Sequence, residues 1–152
     1  MQPNDQQQLG RMIYIMAQEI KNLAEKVLAP YDLTLEQFQT LKVLSPTSGM
    51  TQRQLGQAIN KNPANMTKIL DRLEAKSLII RQQDPADRRA YQIYLTDKGR
   101  AQRDEVMVIF EKFATGIHTG LTKDMKRTTR KVLEIMAANV ERMTAALKKD
   151  QK

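Results

Sequence analysis

Apolar residues recur at heptad-like intervals near both ends of the chain, and at the N-terminal end these intervals alternate between four and three residues. The first seam consists of Leu9, Ile13, Met16, Ile20, Leu23 and Val27, and Pro30 ends it. A second, roughly heptad seam near the C-terminus consists of Met125, Val132, Met136, Val140, Met143 and Leu147. Such spacing predicts a long helix with one apolar stripe. Because large apolar stripes are seldom left in water, we expect these helices to form a dimer or to pack on each other.

Two capping-box patterns predict the starts of two helices between these ends. In the pattern T-x-x-Q, the side chain of each partner bonds to the backbone amide of the other. The pattern occurs at Thr34 with Gln37 and again at Thr51 with Gln54. The second of these helices is short, and we expect three of its residues to turn inward, namely Leu55, Ala58 and Ile59.

A third helix is predicted from Asn62 to about Lys76. Asn62 is a favourable N-cap, and Pro63 suits the first helical position. The inner face is apolar, at Met66, Ile69, Leu70 and Leu73. The outer face carries Ala64, Asn65, Lys68 and Arg72, with Thr67 at its flank, and Asn62 at the helix start is also a candidate DNA-binding residue. Such a face suits the DNA major groove, where Asn bonds adenine edges and Lys bonds guanine or phosphate. A solvated helix face is the alternative, which Asp71 on the same side favours.

After Ser77 the period of the apolar pattern changes from about 3.6 to 2. The segments "LIIRQQ" and "YQIYLT" predict the two strands of a β-hairpin, joined by "DPADRRA". Thr96 then caps another helix, and Gly120 marks a turn. The inward positions of that helix are Val106, Ile109, Phe110, Phe113 and Ile117. Two helices joined by a short turn and followed by a basic hairpin predict a winged helix-turn-helix.

The positive charge is concentrated on these central elements. The chain carries a net charge of +8, of which residues 51–103, with 11 Lys/Arg and 5 Asp/Glu, contribute +6. This distribution favours a polyanion as partner. A generic basic protein, whose charge only aids solubility, is the alternative.

The hairpin loop places Asp87, Arg88 and Arg89 in a row. Arginine suits the DNA minor groove, because a narrow groove concentrates negative potential. Asp87 can pair with Arg89 and hold the loop in shape. The alternative is a solvated ion pair that contributes about 0–1 kcal/mol.

Several classes of function are disfavoured by composition. The absence of cysteine excludes a disulfide framework, a cysteine zinc site and a thiol sensor, and the single His118 excludes a histidine metal cluster. We expect no metal, no cofactor and no catalytic residue, because no nucleophile–base pair or phosphate-binding glycine loop is recognisable. The longest apolar run, Met12–Ala17, is far shorter than the ~20 residues of a membrane helix. No signal peptide is visible, and a cytoplasmic protein without membrane contact is expected.

The segment "LTLEQFQTLKVL" and the run from "MTQRQLGQAIN" to "YQIYLTDKGR" resemble the MarR family of bacterial transcriptional regulators. The likeness rests on the helix exit "LDRLEAKSLI" and on the hairpin motif D-x-R-x5-L-T. That motif is present as Asp87, Arg89, Leu95 and Thr96, with Gly99 following. The chain departs from the family at Ser77, where the family usually has Gly because a helix exit often needs the left-handed conformation.

The resemblance implies a mainly α fold with a small β-hairpin wing. Residues 1–30 would form an N-terminal dimerisation helix, residues 31–98 the winged helix-turn-helix, and residues 99–152 the C-terminal helices that complete the dimerisation region. The implied function is a ligand-responsive repressor that binds palindromic double-stranded promoter DNA as a homodimer. In that complex Arg89 lies in the minor groove, Asp87 braces it, and Arg88 contacts phosphate.

The family often binds small effectors, frequently anionic and aromatic. We expect a pocket for such an effector at Met12, Met16, Phe38 and Phe113. Two alternatives to a specific regulator stay open. A sequence-tolerant architectural DNA-binding protein would share the basic wing and differ in its ratio of specific to non-specific affinity. A protein–protein adaptor with the same fold would not retain DNA.

Overall fold

The computed structural model describes residues 3–45, 47–84, 87 and 90–149. In chain order they form α1 (Pro3–Leu28), a 3-10 turn (Ala29–Tyr31), α2 (Leu35–Val43), β1 (Met50–Thr51), α3 (Gln52–Ala58), α4 (Pro63–Ala75), β2 (Ile79–Gln83), β3 (Tyr91–Leu95), α5 (Asp97–Ile117) and α6 (Lys123–Lys149). The chain divides into two compact units, Met1–Ala114 and Thr115–Lys152. The helix-turn-helix and the sheet therefore belong to the first unit.

The sheet of the first unit is antiparallel, with strand order β1-β3-β2. β2 pairs with β3 from Ile79 opposite Leu95 to Gln83 opposite Tyr91, which confirms the predicted hairpin strands. β1 adds a third strand on the other edge of β3. It was not predicted, because a strand of two residues carries no periodic signal.

The core of the first unit packs against the inner face of α4. Met66, Leu70 and Leu73 of this helix are fully buried, as the pattern predicts. Their buried partners come from the neighbouring helices and strands and include Phe38, Leu41, Leu55, Leu78, Ile93 and Val106. Burial of each such side chain stabilises the folded state by about 1.5–3 kcal/mol. The core therefore fixes which side of α4 faces solvent.

The inner face of α3 is only partly as predicted. Leu55 is fully buried and Ile59 is half-buried, but Ala58 is exposed and Gly56 is buried instead. A Cβ on Gly56 would lie 2.8 Å from the carbonyl oxygen of Lys61. The turn between α3 and α4 packs this closely only because Gly56 has no side chain, and a helix of seven residues has too few apolar positions to reveal this.

At the exit of α4, Ser77 adopts the left-handed conformation with φ 58°, although it stands where the family usually has Gly. The amide of Ser77 donates to the carbonyl of Glu74 at 2.8 Å, and the amide of Leu78 donates to the carbonyl of Leu73 at 3.0 Å. These are the paired bonds of a Schellman motif. A residue with a Cβ costs roughly 1–2 kcal/mol in this conformation.

The apolar stripes of the two long helices are largely exposed in the single chain. On the stripe of α1, Leu9 is 47%, Met16 is 58% and Leu23 is 49% exposed. Ala24 and Leu28, which lie outside the stripe near the end of the helix, are buried. α6, in the second unit, has exposed members Met125, Val132, Val140, Met143 and Leu147. The structure confirms that both apolar stripes lie on long helices, since α1 has 26 residues and α6 has 27. Among the described helices, none has the length and apolar character needed to cross a membrane.

Candidate nucleic-acid interface

The start of α4 is fixed by side chains on both sides of the turn that precedes it. Asn62 is the N-cap, and its Oδ1 accepts from the amide of Asn65 at 2.9 Å, with Pro63 in the first turn. Gln52 of α3 donates through Nε2 to the carbonyl of Pro63 at 3.1 Å and to Oγ1 of Thr67 at 2.9 Å. α3 therefore holds the first turn of α4 in a defined position.

The capping boxes position the helices that carry these groups. Thr51 Oγ1 accepts from the amide of Gln54 at 3.2 Å, and Gln54 Oε1 accepts from the amide of Thr51 at 2.8 Å. The same reciprocal pair joins Thr34 and Gln37 at the start of α2. Both predicted boxes are confirmed.

The predicted outer residues of α4 are all exposed, at Ala64, Asn65, Thr67, Lys68 and Arg72. Asn65, Lys68 and Arg72 line one shallow groove between α4 and α2. Thr67 differs from the other three, because its hydroxyl donates to the carbonyl of Pro63 at 3.1 Å while accepting from Gln52. The hydroxyl proton of Thr67 is therefore used in a hydrogen bond within α4, and the hydroxyl oxygen connects α4 to α3 through Gln52.

A second groove lies between α3 and the start of α4. It is lined in part by Gln52, Arg53, Lys61 and Pro63. Arg53 is exposed at the start of α3 and Lys61 lies in the turn before α4. Sequence reasoning did not single out these two cations. Their only signal was the general positive excess of residues 51–103.

Glu36 of α2 forms ion pairs with Lys61 and with Lys21 of α1. Oε1 of Glu36 lies 3.3 Å from Nζ of Lys21 and 3.5 Å from Nζ of Lys61. Burial alone would raise the pKa of Glu36, but a backbone hydrogen bond and the two ammonium groups outweigh it and lower the pKa. Glu36 thus stays ionised at neutral pH and links α1, α2 and the turn before α4.

Asp71, the acidic residue on the outer side of α4, is paired. Its Oδ1 accepts from Nη2 of Arg81 at 2.6 Å, and Glu74 Oε2 accepts from Nη1 of the same guanidinium at 2.5 Å. Burial alone would lower the pKa of Arg81, but the two carboxylates raise it, so the group stays charged. The pairs join the last turns of α4 to β2.

The wing is described only in part. Arg88 and Arg89 lie outside the described residues, so their predicted roles stay predictions. Asp87 is exposed, and its carbonyl accepts from the amide of Ala90 at 2.9 Å. The amide of Asp84 donates to the carbonyl of Ala90 at 2.9 Å, which closes the described ends of the loop.

The predicted effector residues lie in different environments. Phe38 is fully buried, and its ring centroid is 4.8 Å from that of Phe110. Phe110 in turn lies 5.0 Å from Phe113, which is half-buried on α5. Met12 and Met16 are exposed on α1. In the described part of the chain, no three His, Cys, Asp or Glu residues gather where they could hold a metal ion.

A helix with an exposed polar and basic face, a supporting helix and an adjacent hairpin define a winged helix-turn-helix DNA-binding protein. The model of the MarR family matches residues 33–91. Over these residues the chain has the winged helix-turn-helix of the MarR family, and the chain is a DNA-binding transcriptional regulator.

Two curated relatives show the extent of the likeness. The HTH-type transcriptional regulator TtmR of Methylorubrum extorquens is 31% identical over 120 residues, which are 79% of this chain and 60% of TtmR. The multiple antibiotic resistance protein MarR of Salmonella typhimurium is 28% identical over 132 residues, which are 87% of this chain and 90% of that protein.

Two solved structures share the fold. MepR of S. aureus, in a complex with DNA, has a TM-score of 0.80 and 26% identity, with 86% of this chain and 96% of that chain covered. BpsR of Bordetella bronchiseptica, whose DNA binding is regulated by 6-hydroxynicotinic acid, has a TM-score of 0.76 and 25% identity. The second likeness covers 86% of this chain and 98% of that chain.

Proposed function

We propose that the chain is a ligand-responsive repressor that binds palindromic double-stranded promoter DNA as a homodimer. The observation that carries the proposal is the outer face of α4, which presents Asn65, Lys68 and Arg72 while Asn62 and Gln52 fix its start. A twofold dimer presents two such helices, so its sites are inverted repeats with half-site centres ~34 Å or ~10 bp apart. The dimer acts in the cytoplasm, where its binding over a promoter excludes RNA polymerase. We assign the chain no catalytic step.

Selection of bound duplexes from a random pool tests this proposal. We expect an inverted repeat of the stated spacing, bound by two chains. A single half-site bound by one chain would contradict the dimeric mode. Retention of all duplexes with similar affinity would instead indicate a sequence-tolerant architectural protein, and retention of none would indicate an adaptor.

The exposed apolar stripes support dimerisation through residues 1–30 and 99–152. Exposed patches of this kind mark protein interfaces. Met143 on α6 is 67% exposed, and an aspartate there would place a charge in the proposed interface. Met143→Asp is expected to sediment as a monomer, whereas Ala138→Asp, on the charged side of α6 between Glu134 and Glu141, leaves a dimer. Dimers of both variants would refute the role of this stripe.

For the wing, we propose that Arg89 enters the minor groove, that Asp87 braces it and that Arg88 contacts phosphate. The contact of β2, the first strand of the wing, with α4 supports this placement. By charge alone, Asp87→Ala should tighten DNA binding. If Asp87 braces Arg89, the substitution weakens binding instead. Arg88→Ala flattens the slope of log affinity against log salt by up to about 2 per dimer, since each phosphate contact contributes ~0.9. Tighter binding by Asp87→Ala would leave the hairpin a solvated turn.

We further propose a small anionic aromatic effector near Met12, Met16, Phe38 and Phe113. The row of rings from Phe38 to Phe113 supports an aromatic ligand, and the regulation of BpsR by 6-hydroxynicotinic acid supports the chemical class. The probes are benzoate, salicylate and 6-hydroxynicotinate, added to a labelled DNA complex and followed by anisotropy. Release of DNA that Phe113→Leu weakens is expected. No release by any of these acids would contradict the proposal.

A further inference from the structure

Arg81 of β2 holds two carboxylates of α4 with one guanidinium. Nη2 lies 2.6 Å from Asp71 Oδ1, and Nη1 lies 2.5 Å from Glu74 Oε2. The Arg81 side chain is only 22% exposed, whereas the side chains of Asp71 and Glu74 are 58% and 41% exposed. The cation is thus largely covered and both anions remain partly in solvent.

These carboxylates stand on the helix that we propose to contact DNA. Asp71 is exposed on α4. It directly precedes Arg72 in the sequence and follows Lys68 by three residues, which is about one helical turn. Unpaired carboxylates at these positions would repel the phosphates that Lys68 and Arg72 attract. The helix would then present two cations and two anions to a polyanion.

We infer that Arg81 is a positioning residue of the DNA interface, which acts by cancelling the negative charge of Asp71 and Glu74 and by holding both carboxylates toward the sheet. The inference rests on the proposed placement of α4 against DNA. It assigns Arg81 no contact with DNA of its own, because its guanidinium is largely covered and both sides of its fork are engaged.

Arginine suits this role better than lysine does. The planar guanidinium presents donors on two edges and can bind two carboxylates at once, whereas an ammonium is a single point charge. Arg81 stands opposite Ile93 in the register of β2 and β3, and Ile93 is buried in the core. The backbone of Arg81 is therefore fixed by the sheet, which gives the guanidinium a constant position relative to the end of α4.

Four proteins test the inference: wild type, Arg81→Gln, the double variant Asp71→Asn/Glu74→Gln, and the triple variant that combines them. Affinity for a selected duplex is measured from about 0.05 to 0.3 M salt. We expect Arg81→Gln to bind roughly tenfold more weakly at low salt, which corresponds to about 1.4 kcal/mol. We expect the loss to shrink as salt rises, because added salt screens the repulsion between the carboxylates and the phosphates. The Debye length, which is ~10 Å at 0.1 M, becomes shorter as the salt concentration increases.

The variants without carboxylates decide the mechanism. If Arg81 acts by charge cancellation, the double variant binds at least as tightly as wild type, and the triple variant recovers most of the affinity that Arg81→Gln loses. Arg127→Gln is the matched control, since it removes one charge from the exposed pair with Asp124 on α6. We expect it to change affinity much less than Arg81→Gln does.

A loss shared by the double, triple and single variants at all salt concentrations would overturn the inference and make Arg81 only a structural brace. Loss in Arg81→Gln and the triple variant, with wild-type affinity in the double variant, would overturn it in favour of a direct phosphate contact. If Arg81→Gln does not fold, weaker binding by the double variant alone overturns the inference. Wild-type protein that binds no duplex would overturn the proposed function as well.

Discussion

Gly99 in the first turn of α5 lies directly against the backbone of Leu78, at the start of the wing. A Cβ on Gly99 would stand 1.9 Å from the carbonyl oxygen of Leu78. That carbonyl also accepts from the amide of Thr96 at 3.1 Å, and Thr96 Oγ1 caps α5 by accepting from the amide of Gly99 at 2.9 Å. The base of the wing and the start of α5 are therefore joined at a point that only glycine fits.

Gly99→Ala is expected to destabilise the fold by about 3 kcal/mol or more, because the Leu78 backbone would have to move. The matched control is Gly116→Ala, also on α5, where an added Cβ meets nothing within 4 Å. We expect that substitution to be neutral or to stabilise by up to about 1 kcal/mol. Urea unfolding of both variants measures the difference, and equal stability would contradict the close contact.

Ser77→Gly is expected to stabilise the protein by about 1 kcal/mol, because glycine adopts φ 58° without the strain of a Cβ. For a chain of this size, that corresponds to a rise in Tm of about 2–4 °C. Ser48→Gly serves as the control, since Ser48 is an exposed loop residue outside the left-handed region. A lower Tm for Ser77→Gly than for Ser48→Gly would show that the serine side chain has a stabilising role.

The lowered pKa of Glu36 predicts an acid-dependent loss of stability. Since the folded pKa lies below the ordinary value of 4.5, the stabilisation is complete above pH 4.5 and is lost as the pH falls through the folded pKa. Glu36→Gln removes that increment, so its Tm approaches that of wild type as the pH falls below 4.5. Glu134→Gln on α6 is the charge-matched control. Parallel Tm profiles of wild type and Glu36→Gln from pH 7 to pH 3 would contradict the assignment.

Asn65→Ala is expected to relax base preference at particular positions of the site by about 1–3 kcal/mol per lost contact. The fold should not suffer, because the cap uses the amide of Asn65 and alanine is the better helix former. Selection profiles of Asn65→Ala and of Gln39→Ala, an exposed residue of α2, measure the effect. A profile identical to that of wild type would mean that Asn65 contacts no base.

Local signals in the sequence predicted most of the elements. The capping boxes, the Asn62 N-cap and the period-two strands depend on residues close in the chain, and each is confirmed. The hydrogen bonds and ion pairs that hold the site together join residues that are far apart in the sequence. Gln52 bonds to Thr67, 15 residues away, and Arg81 to Asp71, 10 residues away. Such pairs follow from how the helices and strands pack, so neither periodicity nor motif spacing contains them.

The central claim is that the outer face of α4 lies on DNA, and a salt series with Lys68→Ala tests it most directly. Lys68 is exposed on this face, and Lys126 is an exposed lysine of α6 that serves as the matched control. Affinity for a selected duplex is measured by anisotropy between about 0.05 and 0.3 M salt. Because each phosphate contact contributes ~0.9 to the slope of log affinity against log salt, Lys68→Ala is expected to weaken binding and flatten the slope by up to about 2 per dimer. Lys126→Ala is expected to keep the wild-type slope. Wild-type affinity and slope for Lys68→Ala, with the loss in Lys126→Ala instead, would place the DNA elsewhere and contradict the account.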